Sequence, residues 1–438
     1  MHHLLLLLAF IGLGVAAQQS PFDVVNSGSQ RYVVAHFMVG NTYPYTTSDW
    51  AQDISLASSK GIDAFALNVG RDPWQPDRIK DAYETARQLG SNFQLFISLD
   101  MTSIPCATRD HAEQLRYYFE PYRNHPNQFK YNGLPFLSTF AGEGCSFGTG
   151  SYKDGWNLAI KDGRPPVYFV PSFFLDPGTI GSLNFVDGTF HWNGAWPMKN
   201  TNVSWVSDNE YISQLGGKRM YMAGVSPWFF THYGPDTWNK NWIYRCDDWH
   251  FVQRWELVVN HRNVTQIAQL ITWNDYGESH YVGPIHGAQP NSQSWVDGFD
   301  HQGWLDLSAY YAAAFKTGYY PLIRRDRIFL WGRLYPAAAG SPDRVPRPAN
   351  WEWTQDVLWG VMLLTDDTQL KISCGASKLT ATYAAGLSKF QLPLVDACSV
   401  SASLVRNNQV VLNFKPQGFS FSTRPPMYNF NSFVAASP

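Results

Sequence analysis

Two carboxylates, Asp275 and Glu278, flank Gly277 in the stretch Leu-Ile-Thr-Trp-Asn-Asp-Tyr-Gly-Glu-Ser-His-Tyr, residues 270–281. An apolar run at 267–271 breaks off there into aromatic, amide, acidic and imidazole side chains. That is the pattern of a strand delivering side chains to a site. On a straight strand the odd spacing would put the two acids on opposite faces. Gly277 permits a sharp turn, so both could face one cleft. Two carboxyls in one cleft are what glycoside hydrolysis requires: a proton donor, and a base or nucleophile. A helix start with Asp275 as N-cap and Glu278 at N3 accounts for the same spacing and is the competing reading.

Such a pair needs a frame. Strand-like apolar runs begin at Val33, Asp63, Gln94, Pro135, Pro166, Gly188, Met220 and Ile267. The first three starts are about 30 residues apart, the length of one strand–helix unit. Helical stripes lie between the runs: Trp50/Ile54/Ala57, then Ile79/Ala82/Tyr83/Ala86/Leu89 closed by Gly90, then Leu115/Tyr118/Phe119/Tyr122. Phe251/Trp255/Val258/Val259 precedes the last strand, and Leu307/Tyr310/Tyr311/Ala314 follows it. Alternating strands and helices predict an α/β fold, a (β/α)₈ TIM-type barrel. The helix after the third strand and the link from the fifth to the sixth are the least regular parts. An open doubly wound sheet is the competing fold. No GxGxxG follows the first strand, which argues against dinucleotide binding. After Tyr320 the texture changes to a Pro-, Ala- and Gly-rich stretch at 335–348, followed by short alternating runs. These predict a small C-terminal β-sandwich docked on the barrel. The expected division is a signal peptide at 1–17, the barrel at 18–322 and the sandwich at 323–438.

In such a barrel the site lies at the carboxyl ends of the strands. Those ends read His36, Asn68 and Asp100, then Glu143 past the fourth strand. Later ones give Trp192 and Trp196, then Trp228 and His232, and finally Trp273, Asp275, Tyr276, Glu278 and His280. Carboxylates suit acid/base chemistry, amides and imidazoles suit sugar hydroxyls, and indole rings suit stacking on sugar faces. Each has a plainer reading: Asp100 as a turn cap, Glu143 as a solvated loop acid, His36 as a core histidine, Asn68 as a bridge between strand ends, the tryptophans as packing.

The chain has 438 residues, of which 45% are hydrophobic and 16% aromatic, including 18 Trp and 23 Tyr. That suffices for a large core and for sugar-stacking surfaces. A formal charge of −2 gives no reason to expect nucleic acid as a partner. Residues 4–17 form an apolar run with a small-residue end, as in a secretion signal, and are too short to span a bilayer. The sequons at Asn202 and Asn263 fit an extracellular protein. Five cysteines form no CxxC pair, and there is no HExxH, so neither a metal nor a cofactor is expected. Cys106–Cys145 and Cys374–Cys398 are the expected disulfides from their place in the chain, leaving Cys246 odd. No GxSxG elbow supports a serine hydrolase.

These segments resemble glycoside hydrolase family 71, the fungal endo-α-1,3-glucanases or mutanases. The likeness rests on residues 34–44, 61–68, 95–100, 138–143, 225–229, 272–280 and 296–301, in family order. It implies a barrel whose essential acids match Asp100, Asp275 and Glu278. It implies an inverting displacement, with Glu278 as general acid, Asp275 as general base, and Asp100 tuning a partner or holding substrate. The expected partner is α-1,3-glucan, cut by a secreted, monomeric, endo-acting enzyme. A non-catalytic secreted carbohydrate-binding protein is the alternative from another class, and a glycosidase of the same fold for another glucan linkage is a further one.

Overall fold

The computed structural model describes residues 30–438. The expected signal peptide lies outside the described residues. Eight parallel strands carry the first part of the chain: β1 (Tyr32–Met38), β2 (Ala64–Val69), β3 (Gln94–Asp100), β4 (Leu134–Phe140), β5 (Tyr168–Ser172), β6 (Gly188–His191), β7 (Met220–Val225) and β8 (Ile267–Leu270). Their cores are buried on both faces, as a parallel sheet covered by helices requires. The sheet curls until its last strand reaches its first, pairing Ala35 with Leu270 on one side and Ala35 with Phe65 on the other.

The ladder is interrupted between β5 and β6. There Asp187 N–H donates to Phe169 O, and the Asp187 carboxylate accepts the Phe169 N–H at 2.8 Å. A side chain thus stands in for a ladder rung, and Pro171 within β5 has no N–H to offer. The link from β5 to β6 holds only a four-residue helix, Pro177–Ile180. The stripe expected at Leu115–Tyr122 is broken into Arg109–Gln114, Arg116–Phe119 and a 3-10 turn. The helices Gln75–Gln88, His250–Asn260 and Gln302–Thr317 follow their stripes, and Gly318 ends the last one in the left-handed conformation.

The C-terminal part forms two four-stranded antiparallel sheets. The first joins Arg327–Gly332, Val357–Leu364, Gly386–Pro393 and Phe433–Ala436, and period-two alternation splits its faces. Phe329, Trp331, Trp359 and Val361 pack into the core of the parallel sheet and its helices. Ile328, Leu330, Leu358 and Met362 pack on the second sheet, against Leu370, Ile372 and Leu404. Both expected disulfides are formed, and Cys246 is buried as a free thiol. Asn202 and Asn263 are exposed. Among the described residues no helix is long and apolar enough to cross a membrane.

Candidate active site

The chain leaves β8 and folds back on itself. Thr272 N–H donates to His280 O, Val282 N–H to Thr272 O and Gly283 N–H to Trp273 O. Asp275 and Glu278 sit in the loop between these paired segments, neither on a straight strand nor at a helix start. Asn274 fixes the loop to β1: its side chain accepts from Met38 N–H at 2.7 Å and donates to Met38 O at 3.1 Å, imitating a ladder rung. Asp275 N–H donates to Thr272 Oγ1, and Glu278 N–H to Asp275 Oδ1. Gly277 allows the close approach of Tyr233, whose hydroxyl would lie 2.1 Å from a Cβ at that position.

Both carboxyls face outward, 19% and 23% exposed, and His280 is fully buried beneath them. His280 Nε2 lies 3.0 Å from Glu278 Oε2 and 3.9 Å from Asp275 Oδ2. Its Nδ1 lies 3.2 Å from Thr272 Oγ1. Since Thr272 already accepts from Asp275 N–H, its own O–H can donate to Nδ1, which places the imidazole proton on Nε2, facing Glu278. On the other side Lys240 Nζ stands 3.5 Å from Glu278 Oε1.

The two acids differ in consequence. Burial and the neighbouring Glu278 push Asp275 up to about 6. Burial also raises Glu278, but the His280 hydrogen bond and Lys240 outweigh it and hold that carboxyl below its ordinary value. Of the two, Asp275 therefore holds a proton more tightly than Glu278. One oxygen of each acid and the imidazole nitrogen lie within 4.8 Å of one another. An inverting pair stands about 6.5–9.5 Å apart. One imidazole serving both carboxyls draws them together. That spacing could also suit a cation, but the Lys240 ammonium already supplies positive charge there.

The other expected residues divide. Asp100 ends β3, accepts from Thr102 N–H and Oγ1, is raised by burial, and feels the same Lys240 ammonium. His36 is buried in β1, pushed down to about 3 by burial and His280, and meets Trp192 edge-on at 4.9 Å. Trp192 is partly exposed and continues to Trp196, whose ring lies 5.7 Å from His280. Asn68 is buried and reaches Ser98 O. Glu143 is partly buried and accepts from Phe174 N–H at 3.2 Å.

Four residues expected to meet substrate do not line the cleft. Trp273 is fully buried against Phe65, and Gly283 lets it pack, since a Cβ there would lie 2.6 Å from the indole. Tyr276 is fully buried and donates its hydroxyl to Pro284 O at 3.0 Å. Trp228 donates to Phe430 O of the C-terminal segment. His232 is held between Asn241 and Asp343. Tyr276, Trp228 and His232 each spend their polar atoms on partners behind the loop, whereas Trp273 is held by packing alone.

Sequence reasoning missed the hairpin formed by Phe230–His232 and Asn241–Ile243, which carries Tyr233, the half-exposed Trp238 and Lys240. Its Gly-Pro-Asp turn after the seventh strand was the available signal.

Glycosyl hydrolase family 71 matches residues 29–438. The chain belongs to this family. A glucan endo-1,3-alpha-glucosidase of Schizosaccharomyces pombe is 37% identical over 419 residues, covering 93% of this chain and 95% of the relative. A mutanase of Penicillium rubens is 32% identical over 430 residues, covering 95% and 91%. In fold, the family member is similar to a family 99 endo-alpha-mannosidase of Bacteroides thetaiotaomicron, with a TM-score of 0.50 and 10% identity, over 66% of this chain and 98% of that one.

Proposed function

We propose that this glycoside hydrolase cleaves the α-1,3-glucosidic bonds of α-1,3-glucan, acting within the chain, with Asp275 and Glu278 as its acid and base. The observation that carries the reading is the unequal pair on one loop: an Asp275 whose proton is held up to about pH 6, beside a Glu278 kept low by His280 and Lys240. The named relatives act on that linkage, and they are aligned with this chain almost end to end. Asp100 lies within reach of the same ammonium and tunes the pair or holds a sugar hydroxyl.

In the proposed reaction Asp275 gives its proton to the glycosidic oxygen as the C–O bond breaks. Glu278 takes a proton from water as the water oxygen bonds to the anomeric carbon. Both groups then return to their starting states by exchange with solvent. The displacement inverts the anomeric centre, so a sugar and a water must enter between the acids. The 3.9 Å contact from His280 to Asp275 is the weaker of its two and is the one to open. Trp192, backed by the buried His36 and Trp196, lines the cleft, and the half-exposed Trp238 on the hairpin offers a second ring.

The reading includes a (β/α)₈ TIM-type barrel ending near Leu322, a β-sandwich over 323–438, and a monomer on a secreted, extracellular or cell-wall route. The sequons at Asn202 and Asn263, both exposed, fit glycosylation on that route. The test is release of soluble sugar from insoluble α-1,3-glucan, with β-1,3- and α-1,4-glucan in parallel, by the wild type, Asp275→Asn and Glu278→Gln. Release confined to α-1,3-glucan and lost in both variants is expected. Release from another linkage alone overturns the substrate. Tight binding of glucan without turnover by the wild type would make it a binding protein.

A further inference from the structure

Lys240 is a basic residue on an exposed hairpin, and the acid/base pair alone gives it no role. Its placement is nonetheless fixed. Tyr233 N–H donates to Lys240 O at 2.7 Å, closing the hairpin immediately beside it. Phe230 N–H donates to Glu278 O at 3.1 Å, so the hairpin backbone is bonded to the loop that carries the acids. The far strand is anchored by Asn241, which donates to Pro346 O at 2.7 Å. The ammonium ends 3.5 Å from Glu278 Oε1, and the other oxygen, Oε2, is taken by His280.

We propose that Lys240 is a positioning residue for the reaction: delivered by the Phe230–Ile243 hairpin, its ammonium keeps Glu278 ionised and so leaves the shared proton on Asp275. The proposal rests on the reading of these two acids as the catalytic pair. The groups that face Glu278 are Asp275 and His280 from its own loop, His36 from β1, and Tyr233, Lys240 and Tyr244 from the hairpin and its edge, while Asp100 at the end of β3 faces Lys240. Of these Lys240 alone carries a permanent positive charge at neutral pH. His280 holds Oε2 by a hydrogen bond from beneath, and the Lys240 ammonium stands beside Oε1, on the other oxygen. The side chain is 48% exposed, so its field acts through partly aqueous surroundings and is modest in size.

The variants are Lys240→Met and Lys240→Arg, and both measurements are made on the full chain after melting curves establish that it is folded. The first measurement is the titration of the Glu278 carboxyl by carbon NMR, without substrate. The second is the pH profile of kcat/KM on soluble α-1,3-linked oligosaccharide. In Lys240→Met the Glu278 titration and the acidic limb are both expected to move up by roughly one pH unit, and in Lys240→Arg both stay near the wild type. A Glu278 titration unmoved in a folded Lys240→Met overturns the proposal, as does a loss seen in KM alone with both limbs in place. Failure of the wild type to act on α-1,3-linkages would overturn the substrate reading instead, and the NMR titration would still decide the role of Lys240.

Discussion

His280 Nε2 stands 3.0 Å from Glu278 Oε2, beneath the pair and wholly out of solvent. A buried imidazole that donates to one carboxylate and approaches another at 3.9 Å makes the two acids unequal without touching the cleft. His280→Gln keeps a donor of similar reach but not the ring. It is expected to raise the acidic limb of the rate profile and to lower kcat/KM by about 10- to 100-fold, with KM nearly unchanged. A change confined to KM would assign His280 to binding.

Asp275 carries a stability cost. Its folded value, about 6, lies above the ordinary 3.8, so the folded state binds the proton more tightly than the unfolded chain does. Stability from this group is present below about pH 4 and falls as pH rises to about 6. Asp275→Asn removes that cost. At pH 7 it is expected to stabilise the protein by about 2–3 kcal/mol while abolishing turnover, and to lose that advantage near pH 4. Denaturant unfolding of both proteins at the two pH values measures it, and an advantage over the wild type no larger at pH 7 than at pH 4 would be the contrary result.

Gly277 is where the hairpin meets the loop that carries Asp275 and Glu278. A Cβ there would meet the Tyr233 hydroxyl at 2.1 Å, and Tyr233 is tied to Pro290 O. Gly277→Ala must therefore displace the hairpin, and Lys240 and Trp238 with it. Its activity is expected to fall at least 10-fold while the midpoint of thermal unfolding drops only a few degrees. Gly277→Ala with Tyr233→Phe relieves part of the clash and should recover part of the rate.

The C-terminal part braces the site. Trp228 donates to Phe430 O, His301 Nε2 lies 2.9 Å from Ser432 O, and Asn431 Nδ2 reaches Trp295 O at 2.9 Å and the Tyr281 hydroxyl at 3.3 Å. Tyr281 follows His280 directly. A chain ended after Leu322 is expected to be insoluble, because Phe329, Trp331 and Trp359 leave the main core as well. Asn431→Ala leaves buried partners unsatisfied and should cost about 1–3 kcal/mol. A truncated chain that is soluble and active would show the sheets to be dispensable.

The strands of the parallel sheet were legible because runs buried on both faces read as continuous apolar stretches, and β3, β6, β7 and β8 begin where those runs begin. The break between β5 and β6 was not, because it depends on the Asp187 carboxylate replacing a backbone partner across space. Arg327–Gly332, Val400–Arg406 and Phe433–Ala436 went unnoticed. The first feeds two cores from alternate residues and shows no polar face, and the second hides small residues such as Ala402 inward. Within Thr272–Tyr281 the spacing brings Asp275 and Glu278 to one turn but does not say which neighbours turn inward. Asn274 gripping β1 and Gly283 admitting the indole send Trp273 and Tyr276 into the core. Lys240 and Trp238 arrive from a hairpin whose register no local pattern of acids announces.

The most direct test follows the first minutes of hydrolysis of α-1,3-glucan by proton NMR, before mutarotation blurs the products. The proposed single displacement, with Asp275 as donor and Glu278 as base, gives fresh β-anomer first. Fresh α-anomer would contradict it, showing that the acids work at the close separation seen here and that the reaction passes through two displacements.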